Sequence, residues 1–249
     1  MSFGLQFVSP TLSGLVRLST DSGLFVVALP DGRLVTFTGE RVTPRGSGSA
    51  IGGLSVRTDA DSTTVVFEGP ALLFPDTNPF EDLERSFAVA RLVEVAATLR
   101  CRPEDDGFGA VTGVVAVAAE RWPVGGSGYR ASAARPPAQV RVAVRLGDAD
   151  FLAAVADRAD GSGRGIFHRG GQRTDVVQIA ARAAGFGSSR RLVLDLGLAD
   201  GRRDSLEFEF LHQIPVVGNA AGPAGRSVHA VCRVPGSAIP AGWVELGGT

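Results

Sequence analysis

The side chains best equipped for chemistry gather between Asp157 and His168. Asp157 and Asp160 are carboxylates that would act as general acid or base if burial raised their hold on a proton, while Arg158, Arg164 and His168 are donors that could steady negative charge on a carbonyl. Ser162 adds a hydroxyl within Asp160-Gly-Ser-Gly-Arg164. A solvated turn has the same composition, so the segment reads equally as turn chemistry. His212 closes Leu206-Glu-Phe-Glu-Phe-Leu-His212, where strand alternation puts Phe208, Phe210 and His212 on one face and makes the histidine a donor at the end of an aromatic stripe. A strand-end histidine satisfied by solvent is the plainer alternative. Trp122, Trp243 and Tyr129 are scarce types in a chain with two Trp and one Tyr. Each joins an apolar body to one polar atom, which suits a cavity wall or ordinary packing. Catalytic candidates are therefore Tyr129, Arg158, Asp160, His168 and His212. Candidate substrate contacts are Trp122, Asp157, Ser162, Arg164, Phe208, Phe210 and Trp243.

Other chemistries lack their residues. No GxSxG, GxGxxG, phosphate-binding loop or HExxH occurs. Every one of the 25 basic residues is Arg, which removes Schiff-base lysine chemistry. Three widely spaced histidines, and Cys101 and Cys232 without CxxC spacing, predict no metal, no cofactor and two buried reduced thiols. A formal net charge of -1 and the lack of basic clusters interleaved with aromatics argue against a nucleic-acid partner. The N-terminal MSFGLQFVSPTLSG lacks the basic and apolar regions of a secretory signal, and no apolar run is long enough to span a bilayer, so a cytoplasmic protein without a membrane partner is expected. A homodimer is left open.

The elements that must carry these residues are strands. Hydrophobic residues at 44% and charged residues at 20% fit a globular core. Leu24 to Leu29 and Arg33 to Thr38 flank Pro30-Asp31-Gly32, a hairpin turn. Ile51 to Thr58 and Thr63 to Glu68 flank Asp59-Ala60-Asp61-Ser62 in the same manner. Asn78-Pro79-Phe80-Glu81 supplies a cap, a first-position proline and an acid, so a short helix is expected to start there and give way to strand near Val89. Further strands are expected at Leu92 to Cys101, Gly113 to Ala119, Gln139 to Leu146, Phe151 to Ala156, Asp175 to Ala183, Arg191 to Leu198, Ser205 to Gln213 and Ser227 to Val234. Trp122-Pro-Val-Gly-Gly-Ser-Gly128 reads as the longest break. It divides the chain into β-barrel halves 1–125 and 126–249. Leu198-Ala-Asp-Gly-Arg202 echoes Leu29-Pro-Asp-Gly-Arg33, too common a turn to prove duplication.

In this arrangement Phe67-Glu-Gly-Pro70, Phe80-Glu-Asp-Leu-Glu84 and Leu92-Val-Glu-Val95 follow one another, and Tyr129-Arg-Ala131, Val140-Arg-Val142 and Arg158 to Arg164 follow later. The sequence resembles the lipocalin-like superfamily of carotenoid hydratase-like proteins and natural-product cyclases. Tyr129, Arg158, Asp160, Ser162 and Gly163 fit the pattern of that group, but its glutamate, glutamine, histidine and tryptophan are missing here. The resemblance implies an all-β fold of two lipocalin-like antiparallel barrel halves with one short helix, and a hydrophobic small-molecule substrate. With the acid and base of water addition lost, the leading expectation is a cofactor-free cyclase closing a ring in a polyene or polyketide intermediate. A non-catalytic carrier is the first alternative, and a hydratase or isomerase using Asp157 or Asp160 the second. One inward-facing Arg, His or Tyr would favour catalysis over carriage.

Overall fold

Two turns share one sequence logic. In Leu29-Pro-Asp-Gly-Arg33 and Leu198-Ala-Asp-Gly-Arg202 the glycine takes a positive φ, 89° at Gly32 and 84° at Gly201, a region that other L-residues resist. Each aspartate accepts the backbone N–H two residues on, from Arg33 at 3.1 Å and from Arg202 at 3.0 Å, and the same arginine's Nε returns to the carboxylate. The chain thereby reverses between antiparallel strands in both places.

The computed structural model describes residues 3–19, 22–40, 43–45, 48–75, 87–105, 107–132, 139–147, 150–157, 159–184, 191–217, 226–237 and 241–247. The chain is all-β and forms two compact units, the first running to Ala134 and the second from Arg135 onward. The first unit comprises β1 (Phe3–Val8), β2 (Ser13–Leu18), β3 (Ser22–Ala28), β4 (Leu34–Glu40), β5 (Thr43–Arg45), β6 (Gly48–Ile51), β7 (Leu54–Thr58), β8 (Thr63–Phe74), β9 (Arg91–Asp105), β10 (Phe108–Val117) and β11 (Glu120–Ser132). They pair in the order β4-β3-β2-β1-β11-β10-β9-β8, and β4 meets β8 to close an antiparallel ring. That seam is short, pairing Leu34, Val35 and Thr36 with Phe74, Leu73 and Leu72. The earlier part of the same β8 edge belongs to β7, through Thr63 to Phe67, and β6 and β5 extend the sheet beyond it. Alternation turns Leu5 and Phe7 of β1, Phe25 and Val27 of β3, Val65 and Phe67 of β8, and Leu99 of β9 into one buried cluster. Phe25 and Phe67 stack there with ring centroids 4.8 Å apart.

The second unit comprises β12 (Gln139–Arg145), β13 (Phe151–Asp157), β14 (Ser162–Arg169), β15 (Gln172–Ala184), β16 (Arg191–Leu198), β17 (Arg203–Val217), β18 (Arg226–Arg233) and β19 (Gly242–Gly247). Each pairs with the next, and β19 returns to β12 to complete a closed barrel. An eight-stranded ring has room for its own side chains or for one small ligand. Leu192, Leu194, Leu196 and Leu198 of β16, with Phe167, Phe208 and Phe210, line it here. The echoed Asp-Gly turns join the third and fourth strands of the first ring but the fifth and sixth of the second. Their likeness is local turn chemistry, not the mark of a duplicated barrel.

Two sequence expectations change. Trp122 to Gly128 is not a break but the middle of β11, so the division between units falls after residue 134 instead of at 125/126. The glycines serve close strand approach: a Cβ at Gly126 would lie 1.9 Å from the Val8 carbonyl oxygen, and one at Gly128 2.6 Å from that of Gln6. The expected helix start at Asn78 lies outside the described residues; 87–89 are helical, and strand resumes at Arg91, close to the expected switch at Val89.

Candidate functional site

Hydrogen bonds to Asp157 and Asp160 shape the turn that leads into β14, and Ser162 to His168 belong to that strand. Asp157 Oδ1 accepts the Ala159 N–H at 2.7 Å and Asp160 Oδ1 accepts the Ser162 N–H at 2.8 Å, so each carboxylate shapes its own loop. Bonds from the Ser162 side chain and backbone hold the Asp160 carboxyl below the usual carboxylate range, which keeps it ionised and unsuited to acid catalysis near neutrality. Asp160 and Ser162 are exposed. Arg158 lies outside the described residues. On β14 the inward position is Phe167, so Arg164, opposite Val155, and His168, opposite Phe151, point out of the barrel. His168 stacks on Phe151 with centroids 5.5 Å apart.

The aromatic candidates divide. Phe208 and Phe210 line the interior of the second barrel as expected. His212 does not share their register, because a β-bulge between Phe210 and His212 sets His212 opposite Val231 while Phe210 stands opposite Cys232. Cys232 belongs to the interior and Val231 does not. Trp243 is fully buried but on the outer face, beside Ala143, because its neighbour Val244 takes the inward position. Among the described residues its Nε1 has no hydrogen-bond partner, nor has Nε of Arg141 on the same face. Arg141 is buried there, with Nη1 3.8 Å from Glu245 and Nη2 3.1 Å from Gln139. In the first unit Trp122 faces inward opposite Val115 and packs on the core. Tyr129 faces outward, opposite Gln6, with its ring 4.6 Å from that of Phe108. Trp122 and Tyr129 belong to the first unit and the other described candidates to the second, where Phe208 and Phe210 face inward and Arg164, His168 and Trp243 outward.

The inward donor is Arg130, next to the tyrosine that sequence singled out. It stands opposite Leu5, an interior residue, and alternation along β11 runs from it through Gly128, Gly126 and Val124 to Trp122 on the inner face. Its Nη1 donates to Thr63 Oγ1 at 2.9 Å, and Thr63 Oγ1 lies 3.3 Å from Thr58 Oγ1. β11 and β8 are separated by β10 and β9, about 14 Å along the wall, so this bond crosses the barrel mouth instead of following the sheet. Thr63 is fully buried and Arg130 half-buried. Ser62, also buried, accepts from Arg100 Nε at 3.2 Å at the same end. Among the described side chains no carboxylate pairs with Arg130. Sequence missed it because the glycine-rich stretch before it was taken for a break, so no alternation was carried through to residue 130.

Neither thiol is poised to react. Burial pushes Cys101 up to about 11, against the pull of the Arg130 charge, and pushes Cys232 up further. Among the described residues no three His, Cys, Asp or Glu side chains gather as metal ligands, and no helix is long and apolar enough to cross a membrane. No family model, curated protein or solved structure matches the chain.

Proposed function

We propose that this protein binds a hydrophobic small molecule in the barrel of its first unit and promotes its ring closure without a cofactor. The observation that supports this is Arg130, a cation turned onto an inner face whose buried cluster is Leu, Val, Phe, Ile, Ala and Cys, with Trp122 packed against it and Thr63 as its hydrogen-bond partner. An intramolecular cycloaddition exchanges two π bonds for two σ bonds within one molecule, so no oxidant, base or leaving group is needed. Holding the reacting ends together lowers the entropic barrier, and a guanidinium bonded to an activating carbonyl stabilises charge developing in the transition state. A polyene or polyketide chain with a carbonyl at one end is the substrate class that uses both features.

Purified protein incubated with a linear trienone should consume it faster than buffer does and yield ring product enriched in one enantiomer. A racemic product formed at the spontaneous rate would overturn the catalytic proposal. Carriage without conversion is favoured for the second unit by one feature: its core cluster is made of Val, Leu, Ile, Ala and Phe with a single Cys. A hydratase or isomerase built on Asp157 or Asp160 has less support, because both carboxylates are engaged in their own turn.

A further inference from the structure

The chemistry around Arg130 also bears on what the bound molecule must look like. Resting on the first barrel as the binding unit, we infer that its ligand carries an acidic two-oxygen head, a carboxylate or an enolised 1,3-dicarbonyl, held by Arg130 at the mouth beside Thr63, with the apolar chain running inward along β11. Three observations carry this. First, a planar guanidinium presents paired N–H donors that match two oxygens of one group, and only Nη1 of Arg130 is engaged by Thr63. Second, among the described side chains the groups around it are the hydroxyls of Thr63 and Thr58 and the thiol of Cys101, all neutral at ordinary pH. An arginine placed for fold stability alone would be expected to face a carboxylate, as Arg33 faces Asp31 and Glu120, and Arg233 faces Glu209. Third, the next two inner positions of β11 are Gly128 and Gly126, so β11 itself places no side chain between the guanidinium and Val124, and the side chain nearest Gly128 is Val111 of β10. From Arg130 to Trp122 is eight residues of strand, about 26 Å, enough length for an extended polyene chain with Trp122 near its far end.

The test uses the full chain and a matched pair of probes, the conjugated tetraene parinaric acid and its methyl ester, whose fluorescence rises in an apolar site. The acid should bind at least tenfold more tightly than the ester, and added salt should weaken the acid alone. Arg130→Gln should weaken the acid far more than the ester and cut the acid's advantage to less than twofold. Arg130→Lys, which keeps the charge but loses the fork, should fall between wild type and Gln, and it carries the test if the glutamine variant fails to fold. Equal binding of acid and ester by the wild type, or an acid preference that survives in both variants, overturns the inference while leaving the barrel as a binding unit. Failure of both probes to bind overturns the binding proposal itself, and the inference with it.

Discussion

At the scale of single residues, burial without a full set of partners is the feature with the clearest energetic sign. Arg141 and Glu245 are both withdrawn from solvent on the outer face of the second barrel, 3.8 Å apart, and the arginine's Nε is unsatisfied. Removing Glu245 leaves the Arg141 guanidinium buried without its carboxylate, at a cost of about 3–5 kcal/mol, whereas replacing both members of such a pair costs less. Glu245→Leu should therefore lower the urea midpoint far more than Arg141→Leu/Glu245→Leu does, and a double variant as unstable as the single one would disprove the coupling. Asp195 offers a pH-dependent contrast. Hydrogen bonds from Ser205 and Arg182 hold its carboxyl below the ordinary range. A depressed carboxyl contributes stability above its unfolded value, about 3.9, and that contribution is lost as pH falls through the folded value. Urea midpoints of Asp195→Asn should thus lie below wild type at pH 7 and converge with it in acid.

Elements show how much was legible in the sequence and where legibility stopped. The hairpins around Asp31-Gly32 and Asp200-Gly201 were readable because aspartate and glycine act within a few residues. Phe208 and Phe210 were assigned correctly to an interior face because period-two alternation is local as well. Two non-local facts were beyond it. A bulge, which depends on the partner strand, ended that alternation before His212. The glycines of β11 signalled flexibility in sequence, yet they answer to the Val8 and Gln6 carbonyls of a strand more than a hundred residues away. That explanation has a direct check. Gly126→Ala forces its Cβ to 1.9 Å from the Val8 oxygen and should cost about 1–3 kcal/mol, while Gly125→Ala, with nothing within 4 Å, should be neutral or slightly stabilising. Equal urea midpoints for the two would refute it. Phe208→Ala, at a fully buried interior position, should cost about 3–5 kcal/mol by the same assay.

At the scale of whole barrels, closure is unequal. The second barrel closes through five residue pairs between β12 and β19, the first through three between β4 and β8. Opening free energies vary within a fold, and the segment with fewest backbone bonds opens first. Amide exchange at Leu34 to Thr36 and Leu72 to Phe74 should therefore outpace exchange along β9 and β10, which share ten pairs. Uniform protection across the first unit would contradict this ranking.

The choice of Arg130 as the inward donor also fixes a calorimetric property. Arginine keeps its charge at any pH the fold survives, Cys101 holds its proton until about 11, and a carboxylate ligand has already lost its own near neutrality. A carboxylate head seated among these residues neither takes up nor releases a proton on binding. Its heat of binding should be the same in phosphate and in Tris, and its affinity level across neutral pH, where a site built on histidine would follow the buffer and the pH.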